Sequence, residues 1–288
     1  MNMTGDDLNA ATGLTSLLFV PGARPERFAK ALASGSDMIC IDLEDAVPAD
    51  GKTAARDAAI AAIGPRVAIR INAVTTAGGL ADLLALADAP ILPDLLFVPK
   101  VESPGEIAVI SGTLGHAVRI VPLIESPIGL RHAAAIAGAP GVVMMMFGGG
   151  DMSGELGTAL SWEPLLYARQ ALLMASAEAG VPAIDVPWIV LDDAVGLADE
   201  AQRAHAIGFQ AKAAIHPAQL DAIHAAMRPS AALVEEAREA LAAHAAGGGG
   251  AIRFNGRMLE APIVRRYVRI VAMKDAQRLE TEKEKTDA

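Results

Sequence analysis

Eight short apolar runs, with segments of helical character between them, constrain this chain more than any other feature. They are SLLFV at 16–20, MICID at 38–42, VAIRI at 67–71, DLLFV at 94–98, VRIVPLI at 118–124, VVMMMF at 142–147, VPAID at 181–185 and AKAAI at 211–215. Strands that are apolar nearly throughout, rather than alternating, suit a parallel sheet covered on both faces. Between them, PERFAKALASGS, GGLADLLALADA and PLLYARQALLMASAEAG carry helix signals, the last ending at Gly180. Eight strands alternating with helices over about 200 residues is the count and size of a TIM (β/α)8 barrel, an α/β fold. A doubly wound sheet is the alternative, but no early G-x-G-x-x-G turn supports it. The 52% hydrophobic content supplies enough apolar material for such a core.

After the eighth run the style changes, which divides the chain into a barrel domain at 1–228 and a C-terminal helical extension at 229–288. PSAALVEEAREALAAHAA reads as a helix with Ser230 near its N-cap, and GGGG at 247–250 as a hinge or linker. A short turn around Asn255-Gly256 then leads into another helix, and QRLETEKEKTDA reads as a solvated, frayed tail. VPKVESPGEI and VPLIESPIGL form a near-repeat, read as two similar strand exits. A net charge of −10 and only 3% aromatic residues argue against a nucleic-acid partner. The single cysteine, Cys40, lies in an apolar run and reads as buried filler. No apolar stretch reaches membrane-spanning length, and MNMTGDDLNA lacks the regions of a secretion signal, so a cytoplasmic location is expected.

Polar residues collect just past the strand ends. Asp42, Glu44 and Asp45 follow the second run, and Arg70 with Asn72 closes the third. Lys100 and Glu102 follow the fourth, Glu125 the fifth and Asp151 the sixth, while Asp185 and His216 finish the seventh and eighth. Barrel enzymes carry their chemistry at this C-terminal mouth, so a catalytic mouth is expected. Several carboxylates without a His/Cys cluster point to a hard, oxygen-loving cation. Mg2+ takes one or two protein carboxylates, and Glu125 with Asp151, on adjacent strand ends, is the expected ligand pair. Glu44 and Asp45 would accept hydrogen bonds from the cation's waters, and its charge would offset their mutual repulsion. The alternative is that these two only pair with Lys52 and Arg56 on the next helix. Glu102 is a rival ligand, disfavoured by the nearby Lys100. FGGGD places glycines immediately before Asp151, where a backbone can approach a ligand closely. The planar fork of Arg70 suits a two-point clamp, either on an acid substrate or on the Glu/Asp set. His216 reads as a packed, hydrogen-bonded residue, and Met144, Met145 and Met146 as core filler.

LLFVPGARPERFAKA, IDLEDAV, RIN, VPKVESPGEI, PLIESPIGL, FGGGDMSGELG, YARQALLMASAEAGVPAID, GFQAKAAIHPAQ and FNGRMLEAP run in order from about residue 16 to 270. In these segments the sequence resembles the HpcH/HpaI aldolase and citrate lyase β-subunit superfamily, on its CitE-like acyl-CoA lyase branch. The resemblance implies a barrel with a C-terminal lid, assembled as a homotrimer or hexamer that shares the lid between subunits. It implies Mg2+-dependent cleavage or formation of a β-hydroxyacyl-CoA thioester such as malyl-CoA or citramalyl-CoA, giving acetyl-CoA and a 2-oxoacid. Carried over, Glu125 and Asp151 match metal ligands, and Glu44 and Asp45 match residues near the metal's waters. Arg70 matches the arginine that binds the oxoacid. Lys30 matches a position that contacts the coenzyme A phosphates, with Arg24 a second candidate for that work. Related lyases supply a lid aspartate to the neighbouring subunit's site. Here MLE places Glu260 there, one methylene longer, as the candidate base. The same scaffold also admits a malyl-CoA-type thioester hydrolase, or a citrate-lyase-type β subunit that acts only in a complex.

Overall fold

The computed structural model describes residues 13–115 and 118–286, with side chains described as far as Ala276. The N-terminal segment MNMTGDDLNA lies outside the described residues. Thr15–Met227 form one compact unit, and the residues from Arg228 onward belong to a second.

In the first unit eight parallel strands close into a barrel in sequential order. They are β1 (Ser16–Pro21), β2 (Met38–Asp42), β3 (Val67–Arg70), β4 (Leu95–Val98), β5 (Ile120–Ile124), β6 (Met145–Phe147), β7 (Ala183–Asp185) and β8 (Ala211–Ala214). The ring closes because Leu17 of β1 is in register with Met38 of β2 on one side and Ala213 of β8 on the other. Leu17, Ile39, Ile69, Leu96 and Ile120 are all buried. Each burial of this kind contributes roughly 1.5–3 kcal/mol, which explains why these runs carry almost no polar residue. β6 is shorter than its apolar run, because Val142 meets the sheet only through a bridge to Ile120.

The helices between strands begin where their caps demand. Pro104–Leu114 opens with a capping box of Ser103 and Glu106, and Pro127–Arg131 opens with Ser126 accepting from the Gly129 N–H at 3.0 Å. These two Ser-Pro starts account for the near-repeat as similar strand exits. The helix Trp162–Ala179 stops at Gly180, whose φ of 74° is the left-handed cap that glycine favours. PERFAKALASGS makes less helix than its pattern predicts. A 3-10 turn at Pro25–Arg27 is followed by only Phe28–Leu32.

The second unit packs the helix Ala231–Ala246, capped by Ser230, with the helix Ala261–Thr286 and a two-stranded hairpin. Ala237, Ala240, Leu259 and Tyr267 form its core. The hairpin pairs β9 (Ile252–Phe254) with β10 (Arg257–Leu259) around Asn255-Gly256, both at positive φ, as a two-residue turn of this type requires. The glycine run at 247–250 therefore turns the chain inside one packed unit, where a hinge or linker was expected. The expected frayed tail is also corrected, since the helical backbone continues through Thr286. Among the described residues no helix is long and apolar enough to cross a membrane.

Candidate active site

Asp42 and Arg70 end neighbouring strands in register, so the parallel ladder itself brings them together. Arg70 donates from Nε to Asp42 Oδ1 and from Nη2 to Oδ2, both at 2.7 Å, a bidentate fork. Its Nη1 lies 2.9 Å from Glu44 Oε2, and its guanidinium sits over the Phe19 ring. Burial works against the Arg70 charge, but Asp42 and Glu44 more than offset it and raise its pKa. Of the two clamps the sequence allowed, this geometry realises the one on the acidic set. Asp42 also accepts from the Glu44 N–H at 2.9 Å and the Ala46 N–H at 3.3 Å, which folds the LEDA segment over the strand end.

Lys52 ties that segment down from below, donating to the backbone carbonyls of Leu43 and Glu44 and to Asn72 Oδ1. Arg56 is taken by Asp82 at 2.6 Å. The pairing of the Glu44 and Asp45 carboxylates with Lys52 and Arg56 is therefore not formed, and both carboxylates turn toward Lys100.

Lys100 is the residue the sequence reading undervalued. Its backbone has φ 56°, the left-handed region that non-glycine residues seldom enter. That conformation aims its N–H at Glu125 Oε1, 2.6 Å away. Its ammonium lies 2.8 Å from Glu44 Oε1, 3.3 Å from Asp151 Oδ2 and 3.8 Å from Asp45 Oδ1. In the sequence, its place just past the fourth strand and its closeness to Glu102 are the signals it offers, and neither specifies this role. Glu102 in fact accepts from Ser126 Oγ at 2.6 Å and does not line the cavity.

Glu125 stands one residue past β5, and Asp151 lies in the first turn of the helix Gly149–Leu156 after β6. Gly148 makes room between them, because a Cβ there would overlap the Glu125 side chain. Burial, then the charges of Glu44 and Asp151, push the Glu125 carboxyl up to about 8. Burial likewise raises Glu44, with Arg70 and Lys100 pulling in the other direction. A cavity of about 280 Å3 opens beside this cluster, with Glu44 and Lys100 behind its lining. Asp42, Asp45, Arg70, Glu125 and Asp151 form its polar side, and Phe19, Leu123, Met146, Phe147 and Ile215 are among its apolar walls. Met146 thus does more than fill the core. Met144 and Met145 are wholly buried, and Cys40 is a buried free thiol whose pKa burial raises.

Other expected residues fall elsewhere. Arg24 and Lys30 are exposed near β1 and do not line the cavity. Glu260 is an exposed residue of the second unit, between β10 and the last helix. His216 is exposed, and its Nδ1 accepts from the Ala218 N–H, capping a 3-10 turn rather than packing in the core. Asp185 is a correction. It is in register with Lys212 of β8 and pairs with it and with Arg169, and those two cations in turn meet Glu200, Arg169 and Glu200 coming from flanking helices. It lies fully buried between strands and helices, not at the mouth.

A closed parallel barrel with hard oxygen donors and an arginine at its strand C-termini defines a mouth-site enzyme. Glu125 and Asp151 are two of the carboxylates that line its cavity. A family model described as HpcH/HpaI aldolase/citrate lyase matches residues 15–217. A citrate lyase subunit beta-like protein of Mycobacterium tuberculosis is 36% identical, covering 86% of this chain and 90% of its own. The mitochondrial citramalyl-CoA lyase of Homo sapiens is 30% identical, covering 90% and 84%. A crystal structure of CitE from M. tuberculosis in complex with magnesium, acetoacetate and coenzyme A superposes with a TM-score of 0.77 at 32% identity, covering 92% of this chain and 98% of that one. The chain belongs to the HpcH/HpaI aldolase/citrate lyase family, a family of carbon–carbon lyases.

Proposed function

We propose that this protein is a Mg2+-dependent CoA-ester lyase. It would cleave, or in reverse form, a β-hydroxyacyl-CoA thioester such as malyl-CoA or citramalyl-CoA, with acetyl-CoA and a 2-oxoacid as products. The observation that carries this reading is the meeting of Arg70, Glu125 and Asp151 on one side of a single cavity with apolar walls.

The residues suit magnesium. Mg2+ binds through one or two carboxylates and keeps other positions for water and substrate. Glu125 and Asp151 supply those carboxylates, and a divalent charge would offset both the burial and the neighbouring Glu44 and Asp151 charges that push the Glu125 carboxyl up to about 8. Held by Glu125 and Asp151, a cation would supply Lewis acidity to the oxygens of the substrate next to the carbon–carbon bond that breaks. Glu44 and Asp45 would accept hydrogen bonds from water around it. Asp42 fixes the plane of Arg70, so that the guanidinium meets the oxoacid carboxylate without reorganising. Lys30, with Arg24 beside it in the first loop, holds the coenzyme A phosphates. Glu260, brought by a neighbouring copy in a trimer or hexamer, takes and returns the proton of the acetyl methyl group.

Product analysis with malyl-CoA and citramalyl-CoA, with and without Mg2+, tests this reading. Acetyl-CoA plus glyoxylate or pyruvate, formed only with the metal, is the expected result. A hydroxyacid with free coenzyme A would make the protein a thioesterase. No turnover of either free CoA ester would leave a subunit that works only in a complex.

A further inference from the structure

Lys100 makes two contacts of different kind with the two carboxylates assigned to the cation. Its backbone N–H holds Glu125 at 2.6 Å, and this bond depends on the left-handed backbone rather than on the side chain. Its ammonium stands 3.3 Å from Asp151 and also reaches Glu44 at 2.8 Å and Asp45 at 3.8 Å. Nearly half of the Lys100 side chain is open to solvent, as is nearly half of Asp151, so this arm of the cluster is reachable from solvent. Glu44 by contrast is buried and held by Arg70.

We propose that Lys100 is a displaceable occupant of the cation site, whose ammonium joins Asp151 to Glu44 and draws back onto Glu44 and Asp45 when a divalent ion enters. The inference rests on the assignment of Glu125 and Asp151 made above. An ammonium and a divalent cation on the same Asp151 carboxylate repel strongly at such separations. Glu44 and Asp45 lie within reach of the same flexible side chain, so it can leave Asp151 and remain paired. The Lys100 N–H stays on Glu125 throughout and keeps that ligand aimed. Lys100 is thus a positioning residue with one fixed and one exchangeable contact.

Lys100→Gly separates the two roles. Glycine adopts φ near 56° without strain and retains the N–H, while the ammonium is lost. Isothermal titration of the full chain with MgCl2, after removal of divalent ions, reads the competition directly. Mg2+ affinity is expected to rise about tenfold in Lys100→Gly, the scale of one charge-assisted contact no longer to be displaced. Lys100→Arg, which keeps a competing cation, should stay near the wild-type affinity. Equal or weaker Mg2+ binding by the glycine variant, with the wild type still binding through Asp151, overturns this inference alone. If the wild type binds no Mg2+, or Asp151→Asn binds it equally well, the ligand assignment fails and the inference fails with it.

Discussion

The barrel unit carries two clusters of ion pairs, and they differ in charge balance. Between β7, β8 and the flanking helices, Arg169 and Lys212 face Asp185 and Glu200, two cations against two carboxylates. Arg169, Asp185 and Lys212 are sealed from solvent, Lys212 also donates to the Val186 carbonyl at 2.7 Å, and Arg169 stacks on Phe147 and Trp162. Burial alone would raise the Asp185 carboxyl, but Lys212 and Arg169 hold it below the usual range. At the mouth, Arg70 and Lys100 face Asp42, Glu44, Asp45, Glu125 and Asp151, an excess of negative charge around a cavity. There burial and crowding win, and Glu44 and Glu125 are raised. A balanced, dry cluster completes a fold. An unbalanced one beside a cavity is where we propose that a cation binds, and that contrast is what would separate structure from function here.

The largest effect is expected from breaking the balanced cluster. Lys212→Met leaves Asp185 and Glu200 buried with Arg169 as their only cation, and should cost about 3–5 kcal/mol in equilibrium urea unfolding. A loss below about 1 kcal/mol would mean that the cluster is not what holds β7 and β8 to their helices.

Next come the groups proposed to act on the substrate. Glu260→Gln should suppress exchange of deuterium into the acetyl-CoA methyl on the order of a hundredfold, the scale of one acid/base group, with Mg2+ binding intact. Equal exchange by both proteins would place the base elsewhere. Arg70→Lys keeps the charge but cannot span both oxygens of Asp42, and should lower kcat/KM roughly tenfold to a hundredfold. Normal kinetics would reduce Arg70 to a generic positive charge.

A further effect is expected from pH. The Glu125 carboxyl is raised from its ordinary 4.5 to about 8 in the folded chain, so between those values the folded state binds a proton that the unfolded state has lost. In protein stripped of divalent ions, this contribution to stability is present below about 4.5 and is lost as pH rises through 8. Thermal melting should therefore show a fall across that window in the wild type that Glu125→Gln flattens. An identical slope in both would assign the titration to another group.

Much of the fold was readable because parallel strands buried on both faces tolerate almost nothing but apolar residues, and the run from Leu17 to Val20 could hardly be anything else. The mouth was readable for a related reason. Strand ends are where the apolar pattern must stop, so Glu125 and Asp151 stood out. Asp185 was misplaced because adjacent residues of a strand face opposite ways, and position at a strand end does not say which face carries the carboxyl. Its partners Arg169 and Lys212, and the Glu200 that both of them also meet, come together only through tertiary packing. Lys100 was undervalued because its role depends on a left-handed backbone that no local pattern around VPKVES announces.

Titration of Mg2+ into the wild type, Glu125→Gln, Asp151→Asn and Lys212→Met tests the contrast between the clusters most directly. The wild type should bind one Mg2+ per chain, and either mouth substitution should weaken binding by more than about tenfold, a shift of roughly 1.4 kcal/mol. Folded Lys212→Met should bind as the wild type does. Unchanged Mg2+ affinity in both mouth variants would contradict the account.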